Sequence, residues 1–197
     1  MEMTAIAVAY VVITVVEAAL AYWVGKKEKF SFHKQYAIFL FGGNLLLMLV
    51  AFWRGMFDAG LAVWYFGIWT YLLCLSFYDL KYRELPDWWH LLPVFLYVAA
   101  WLFGYQPIPI RESIFAVLIL AAVFGLIYVV RKDAIGLGDI KLILVCALYL
   151  GRGCAGMLVR GMAGAFVCSM ALLLFKKVTV KSELPFVPFL LLGALFL

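Results

Sequence analysis

Long apolar stretches, separated by short polar connections, dominate the pattern of this chain. A helix needs about 20 apolar residues to cross the hydrocarbon core of a bilayer. Eight stretches approach that length, although the fourth, sixth and eighth are short, as is typical of tilted or broken helices. They are Met3–Val24, Tyr36–Trp53, Gly60–Tyr78, Trp88–Phe103, Ser113–Val130, Ile140–Leu150, Ala155–Phe175 and Leu184–Leu197. The pattern predicts an all-α, polytopic bundle of transmembrane helices with about eight spans.

The composition supports a membrane protein and excludes a soluble domain. Hydrophobic residues make up 68% of the 197 residues and charged residues 14%, whereas soluble domains are about 45–50% apolar and about 25% charged. A soluble domain of this size would leave much of that apolar surface in water. The four cysteines show no CxxC spacing and lie in or beside apolar stretches, which argues against a zinc site or a disulfide framework.

The basic residues predict how the spans are oriented. If the first span runs from outside to inside, twelve of the sixteen lysines and arginines fall in cytoplasmic segments. This bias agrees with the positive-inside rule and places the N-terminus outside. Met1–Val24 has neither a basic n-region nor a small-residue cleavage site, so we expect a retained first span. The net charge of +5 therefore indicates orientation in the bilayer, and we expect no nucleic-acid partner.

Three of the eleven acidic residues lie within or at the end of apolar stretches: Glu17, Asp79 and Asp139. A carboxylate in the hydrocarbon costs about 2.5 kcal/mol or more, so such groups usually face a bundle interior and carry function. Asp79 follows the third stretch and Asp139 precedes the sixth, with two spans between them. Counting spans therefore places both carboxyls at the same membrane face. For Glu17, a structural polar contact within the bundle is the favoured hypothesis.

Two carboxyl groups at one face predict acid–base chemistry. When such groups approach within a few ångströms, they do not both ionise easily, and one keeps its proton. The ionised partner then deprotonates a water while the protonated partner donates to a carbonyl oxygen, as in peptide hydrolysis by paired aspartates. The alternative is that each Asp is a helix cap or a solvated interface residue, since Asp favours both positions.

The surrounding motifs favour the catalytic interpretation. Asp139 lies in Gly136-Leu137-Gly138-Asp139-Ile140-Lys141, where the glycines allow unusual backbone conformations and close approach of another chain. Asp79 opens a basic loop segment that ends in Leu85-Pro86-Asp87. The last apolar stretch carries two prolines three residues apart, within Pro185-Phe186-Val187-Pro188-Phe189. Such prolines free backbone groups, which at membrane depth occur only where they are buried or line a cavity.

Together these three segments resemble the type IV prepilin peptidase family, which includes the archaeal preflagellin peptidases. The resemblance covers about residues 77–197 and implies a GxGD-type aspartic protease core with Asp79 and Asp139 as the catalytic pair. It implies that further residues shape the site or bind substrate: Gly136, Gly138, Lys141, Arg83, Pro86, Asp87, Pro185, Phe186 and Pro188. Lys141 and Arg83 are explained equally well as positive-inside anchors.

The resemblance also implies a substrate and a location. The substrate is a prepilin or preflagellin-like precursor, whose short basic leader is cut from an apolar helix at the cytoplasmic face of a prokaryotic inner membrane. We expect one integral membrane domain over residues 1–197, with N-terminal spans in 1–56 and the catalytic membrane core in 60–197. No cofactor or metal is expected. The long members of the family also carry a cysteine-containing domain and N-methylate their product; that domain has no counterpart here, and methylation stays open.

Three other functions are considered on the sequence alone. One is a non-catalytic membrane chaperone or assembly factor with the same fold, which the intact pair of aspartates disfavours. Tyr78-Asp79 and the Gly-Leu-Gly-Asp segment are similar to presenilin-like proteases, although Pro-Phe-x-Pro-Phe stands where those proteins carry Pro-Ala-Leu. A proton-coupled transporter is the third alternative, but transporters usually place carboxylates near the midplane between internal repeats. The absence of HExxH and GxSxG motifs disfavours a zinc protease and a serine hydrolase.

Overall fold

The computed structural model describes residues 8, 11–16, 18–19, 22, 34–55, 58–132, 135–175 and 184–197. These ranges contain helices and connecting turns and no strand. Residues 8, 11–16, 18–19 and 22 are helical, and Glu17 lies outside the described residues. The helices whose bounds are described are α1 (Lys34–Trp53), α2 (Ala59–Tyr82), α3 (Asp87–Leu102), α4 (Ile110–Val130), α5 (Leu137–Leu150), α6 (Gly153–Leu174) and α7 (Val187–Leu195).

The helices follow the second to eighth apolar stretches of the sequence, so the predicted all-helical architecture is confirmed. Among the described residues, three helical segments are long and apolar enough to cross a membrane, namely Gly60–Tyr82, Ile110–Val130 and Gly153–Leu174. The segment Ile38–Trp53 is apolar but shorter. Helices α5 and α7 have only 14 and 9 residues, as the short stretches indicated. The total of about eight spans stays a prediction.

The chain forms two compact units. The first comprises Met1–Phe77 and Pro86–Pro107, and the second comprises Tyr78–Leu85 and Ile108–Leu197. Helix α2 belongs to the first unit over most of its length and to the second in its last turn. The predicted single membrane domain, with its boundary between residues 56 and 60, stays a prediction.

Buried polar and small residues join the helices of the first unit. Tyr71 on α2 and His90 on α3 share a hydrogen bond of 2.6 Å between the phenol oxygen and Nδ1. Both side chains are buried, and a buried polar group without such a partner would be costly. On α1, a side chain at Gly43 would run into the side chain of Leu73, so the glycine lets α1 approach α2 closely.

The second unit is built around α5. This short helix packs against both α4 and α6, and α6 packs in turn against α7. Glycines allow the close approach of α6 and α7, because a Cβ at Gly193 would collide with the Met157 carbonyl and one at Gly161 would lie 3.0 Å from the Phe189 carbonyl. Small residues at such positions bring helix backbones together in membranes. The α6–α7 contact thereby holds α7 in position against α6.

The long apolar helices differ sharply in burial. In the most apolar part of α2, 67% of the residues are buried, against 6% in α4 and 17% in α6. Large apolar side chains such as Phe115, Leu118 and Leu126 on α4 are more than half exposed. An exposed apolar surface of this extent is expected where a helix faces lipid or a protein partner.

Candidate active site

Asp79 lies in the last turn of α2 and is bonded to the beginning of α7. Its Oδ2 accepts a hydrogen bond of 2.8 Å from the backbone N–H of Val187, and the N–H of Phe186 also donates to this carboxylate. The first N–H groups of a helix have no partner within the helix, and its N-terminus attracts negative charge. The start of α7 therefore holds the Asp79 carboxylate in place.

The position of Pro188 agrees with where α7 begins. Pro188 occupies the first turn of α7, where its missing N–H costs nothing. The Phe186 carbonyl accepts from the N–H groups of Phe189 and Leu190 at 3.1 and 3.2 Å. The intrahelical bonds thus start at Phe186, and the N–H of Val187 is left to donate to Asp79.

Asp139 is held by its own helix. Gly136 is the N-cap of α5 and Asp139 is in the first turn, and the backbone N–H of Gly136 donates to the Asp139 carboxylate. A carboxylate at the third helical position that bonds back to the N-cap N–H is the acidic half of a capping box. Asp139 therefore gains its orientation from residues only three positions away.

Gly136 is needed for space more than for backbone freedom. Its φ of −73° and ψ of 145° are open to any residue, but a Cβ would lie 3.3 Å from Oδ2 of Asp139. At Gly138 a Cβ would lie 3.2 Å from the Cβ of Leu85. The two glycines of the motif thus leave room on one side for the carboxylate and on the other for the chain segment that follows Asp79.

One cavity of about 600 Å³ within the second unit contains both aspartates. Asp139 interacts electrostatically with Asp79, so the two carboxyls are close enough to influence each other, although α2 and α5 supply them separately. Six of the residues predicted for the site line this cavity: Asp79, Arg83, Gly136, Asp139, Pro185 and Phe186.

Arg83 ends α2 in an unusual backbone conformation. Its φ is 55°, and its N–H donates to the carbonyls of Tyr78 and Asp79 at 3.2 and 3.1 Å. This is the left-handed C-terminal position that glycine usually occupies; for another residue it costs about 1–2 kcal/mol. The Arg83 guanidinium interacts with the Asp79 charge, so the strained residue brings a positive charge to the cavity wall.

Other predicted residues lie elsewhere. Lys141 is exposed on α5, and Gly138 and Pro188 do not line the cavity. Pro86 is the N-cap of α3, and Asp87 is in its first turn; both belong to the first unit. Their roles in the site stay predictions.

Sequence reasoning missed the apolar part of the cavity wall. The residues that complete it are Phe124, Ile135, Ile143, Leu158, Met162 and Leu184. Four of them come from the middle of α4, α5 and α6, where an apolar residue carries no chemical signature. Helical spacing predicts which residues share a face, but it does not tell which faces of separate helices meet.

The histidine, cysteine and carboxylate side chains give no indication of a metal centre in the described ranges, where no group of three or more is placed to hold an ion. Buried Cys146 and Cys154 lie close enough to interact, but they are two thiols in apolar surroundings.

The comparison with known families identifies the family of the chain. The sequence model of the type IV leader peptidase family matches residues 64–197, which is more than half of the chain. The chain belongs to the type IV leader peptidase family. The matched range includes the whole second unit and therefore both aspartates. Neither the search of curated proteins nor the search of solved structures found a match.

Membership of the type IV leader peptidase family confirms the resemblance seen in the sequence. It places the chain among peptidases, and the long apolar helices identify it as a membrane protein.

Proposed function

We propose that this protein is an intramembrane aspartic endopeptidase that removes the short basic leader from type IV prepilin or pilin-like precursors. The observation that carries the proposal is the pairing of Asp79 and Asp139 in one cavity, within the range matched by a leader peptidase family. In this proposal, a GxGD-type site uses the two carboxyls as its acid and base.

The proposed chemistry needs one proton shared by the pair. Two like charges in a partly buried site do not both ionise easily, so one carboxyl is protonated and the other is ionised. The ionised carboxylate takes a proton from a water, whose oxygen attacks the scissile carbonyl carbon. The protonated carboxyl donates to the carbonyl oxygen and forms a tetrahedral diol.

Collapse of the diol completes the reaction. The carboxyl that took the proton from water returns it to the amide nitrogen, and the C–N bond breaks. The other carboxyl recovers its proton as the carbonyl re-forms, so the pair ends with the single proton with which it started. A coupled pair titrates as a unit, so either aspartate can be written as the initial base.

The hydrogen bonds around the pair support this chemistry by fixing both carboxyls. Asp79 is bonded to the N-terminus of α7 and Asp139 to the N-cap of α5. Holding reacting groups in a near-attack geometry supplies a large share of the rate enhancement of an enzyme. The Arg83 charge beside Asp79 contributes to the field in which the proton is shared.

The proposed location is the cytoplasmic face of a prokaryotic inner membrane, with the N-terminus of the chain outside. The distribution of basic residues supports this orientation. A precursor with a basic leader in the cytoplasm and an apolar helix in the bilayer has its leader junction at this same face.

The test is cleavage of a tagged prepilin co-expressed with the chain and with Asp79→Asn and Asp139→Asn. Asparagine keeps the shape of aspartate but does not exchange protons, so each variant should lower cleavage by about 10³-fold or more. Product size on a gel measures cleavage, and the amount of each variant in the membrane fraction is the control.

Cleavage at the wild-type rate by either variant would refute the aspartate pair. Failure of the wild-type chain to shorten any of several prepilins would refute the substrate class.

A further inference from the structure

The lining of the aspartate cavity comes from two kinds of chain segment. Arg83, Ile135, Gly136 and the segment Leu184–Phe186 belong to helix ends and connections, whereas Phe124, Ile143, Leu158 and Met162 come from within α4, α5 and α6. A precursor has a leader outside the bilayer and an apolar helix within it, and the two meet at the scissile bond. The lining from within α4, α5 and α6 is therefore where a membrane-embedded helix would leave the cavity.

A second cavity, of about 570 Å³, is also lined by residues of α4 and α6. It is lined on α4 by residues that include Glu112, Ala116 and Leu120, and on α6 by Ala155. Phe124 of the aspartate cavity follows Leu120 by four residues, and Leu158 and Met162 follow Ala155 by three and seven. Residues at these spacings lie on one face of a helix.

The linings of the two cavities thus lie along one path between a face of α4 and a face of α6. We define it by Ala116, Leu120 and Phe124 on α4 and by Ala155, Leu158 and Met162 on α6, and we name it the α4–α6 groove. Helix α5, which packs on both walls, lies between them. From Glu112 to Phe124 the groove follows twelve residues of α4, a length of about 18 Å.

The ends of the groove differ in charge. One end opens at Asp79 and Asp139, and the other lies at the first turn of α4, where Arg152 Nε lies 3.7 Å from a carboxylate oxygen of Glu112. Because the span Ile110–Val130 begins there, the groove runs from one boundary of the span towards the aspartates. Between its ends the walls are apolar, and Ala116 and Ala155 are small enough for another helix backbone to approach closely.

We infer that the α4–α6 groove binds the apolar helix of the precursor, on the C-terminal side of the bond that is cut. The inference rests on the proposed function, because a peptide bond held between the two aspartates places the residues that follow it at the start of the groove. A lipid chain would also match the apolar walls, but an anionic headgroup at the two carboxyls would be repelled. The precursor helix brings no anionic headgroup to the two carboxyls, because it is covalently joined to the peptide in the aspartate cavity.

The test separates helix binding from catalysis by comparing two substrates. One is a tagged prepilin with its complete apolar helix, and the other is the same precursor truncated about six residues after the cut, less than two helical turns. Ala116→Trp fills the groove about 12 Å from Phe124. It should raise KM for the complete precursor by about tenfold and leave KM and kcat for the truncated precursor unchanged.

Ala122→Trp is the matched control, because Ala122 is exposed on α4 and lines neither cavity. It should change neither substrate's kinetics by more than about twofold. An equal loss with both substrates, or no loss with either, would overturn the inference while leaving the aspartate protease intact. If the wild type cut neither substrate, the proposed function would be refuted, and the inference with it.

Photo-crosslinking gives a readout that does not depend on turnover. With benzoylphenylalanine in place of Leu120 and Asp139→Asn to trap the precursor, the crosslink should form to the apolar helix of the precursor. The same probe in place of Ala122 should give at least about tenfold less of this product. A crosslink from position 120 to lipid alone would overturn the inference.

Discussion

The two aspartates of the cavity are positioned by contacts of very different range. Asp139 is bonded to the N–H of Gly136, three residues earlier in the same helix start. Asp79 is bonded to the N–H of Val187, which is 108 residues away. One carboxylate is therefore oriented by local backbone geometry, and the other depends on how α7 packs against the rest of its unit.

The difference teaches which changes should uncouple activity from stability. A change beside Asp139 acts on a side chain whose support is local, so the fold should tolerate it. A change that moves α7 disturbs helix packing and Asp79 together, so stability and activity should fall together. The predictions that follow test this contrast.

The largest of these effects is expected from Gly193→Ala. A Cβ at this position would collide with the Met157 carbonyl and lie 2.9 Å from the backbone nitrogen of Gly161. Forcing α7 away from α6 should lower the free energy of unfolding by about 1–3 kcal/mol. Because Val187 moves with α7, cleavage should also fall by about 10²-fold. Thermal unfolding in detergent and prepilin cleavage measure the two effects.

Gly164→Ala is the control for that substitution. A Cβ at Gly164 would make an ordinary contact of 3.7 Å with Cδ1 of Phe189, so α6 and α7 need not separate. Cleavage and unfolding should stay near wild type. If Gly193→Ala behaved like Gly164→Ala, the packing of α7 would not be what positions Asp79.

A smaller effect, confined to activity, is expected from Gly136→Ala. The added Cβ would lie 3.3 Å from Oδ2 of Asp139 and push the carboxylate by a few tenths of an ångström. Cleavage should fall by about tenfold, while the unfolding temperature should change little, because the φ and ψ of Gly136 suit alanine.

Gly125→Ala is the control for Gly136→Ala, because it makes the same substitution within α4, where a Cβ would meet nothing within 4 Å. It should leave cleavage unchanged and stabilise α4 slightly. A loss of stability from Gly136→Ala equal to its loss of activity would contradict the local character of the Asp139 support.

The smallest effect is expected from Arg83→Gly, and it has the opposite sign in stability. Glycine accepts the φ of 55° without strain, so the free energy of unfolding should rise by about 1 kcal/mol. Arg83→Ala removes the same charge but keeps the strained conformation, and should not stabilise. Chemical or thermal unfolding distinguishes the two variants.

Both Arg83 variants should lower cleavage to a similar extent if the guanidinium acts on the pair through its charge. Arg83→Lys keeps the positive charge, so on the same hypothesis it should cleave more than Arg83→Gly or Arg83→Ala. Wild-type cleavage by Arg83→Gly would show that the strain at this position has no catalytic purpose.

Much of the fold was predictable because a bilayer makes strong demands on sequence. The apolar stretches predicted the helices from α1 to α7, since a span in a bilayer must pair its backbone polar groups within itself. The two carboxylates were visible because each lies beside an apolar stretch and within a motif that favours a catalytic role over a helix cap. The motifs around them led to the family that the later comparison confirmed.

The division into two units was not predictable, and neither was the apolar wall of the site. Phe124, Ile143, Leu158 and Met162 look like other apolar residues of membrane helices, and only packing brings them to one cavity. The sequence marked Pro185 to Phe189 as irregular backbone, but it did not reveal that the N–H of Val187 bonds to Asp79.

The sequence by itself determined the helices, the family and the identity of the two acids, because these depend on hydrophobic length, local motifs and the cost of charge in an apolar stretch. The tertiary structure alone decided that α7 begins beside Asp79, that both carboxyls share one cavity, and that residues of α4 and α6 line both this cavity and a second one. These features depend on contacts between residues far apart in the chain, where a one-dimensional pattern holds no information about which faces meet.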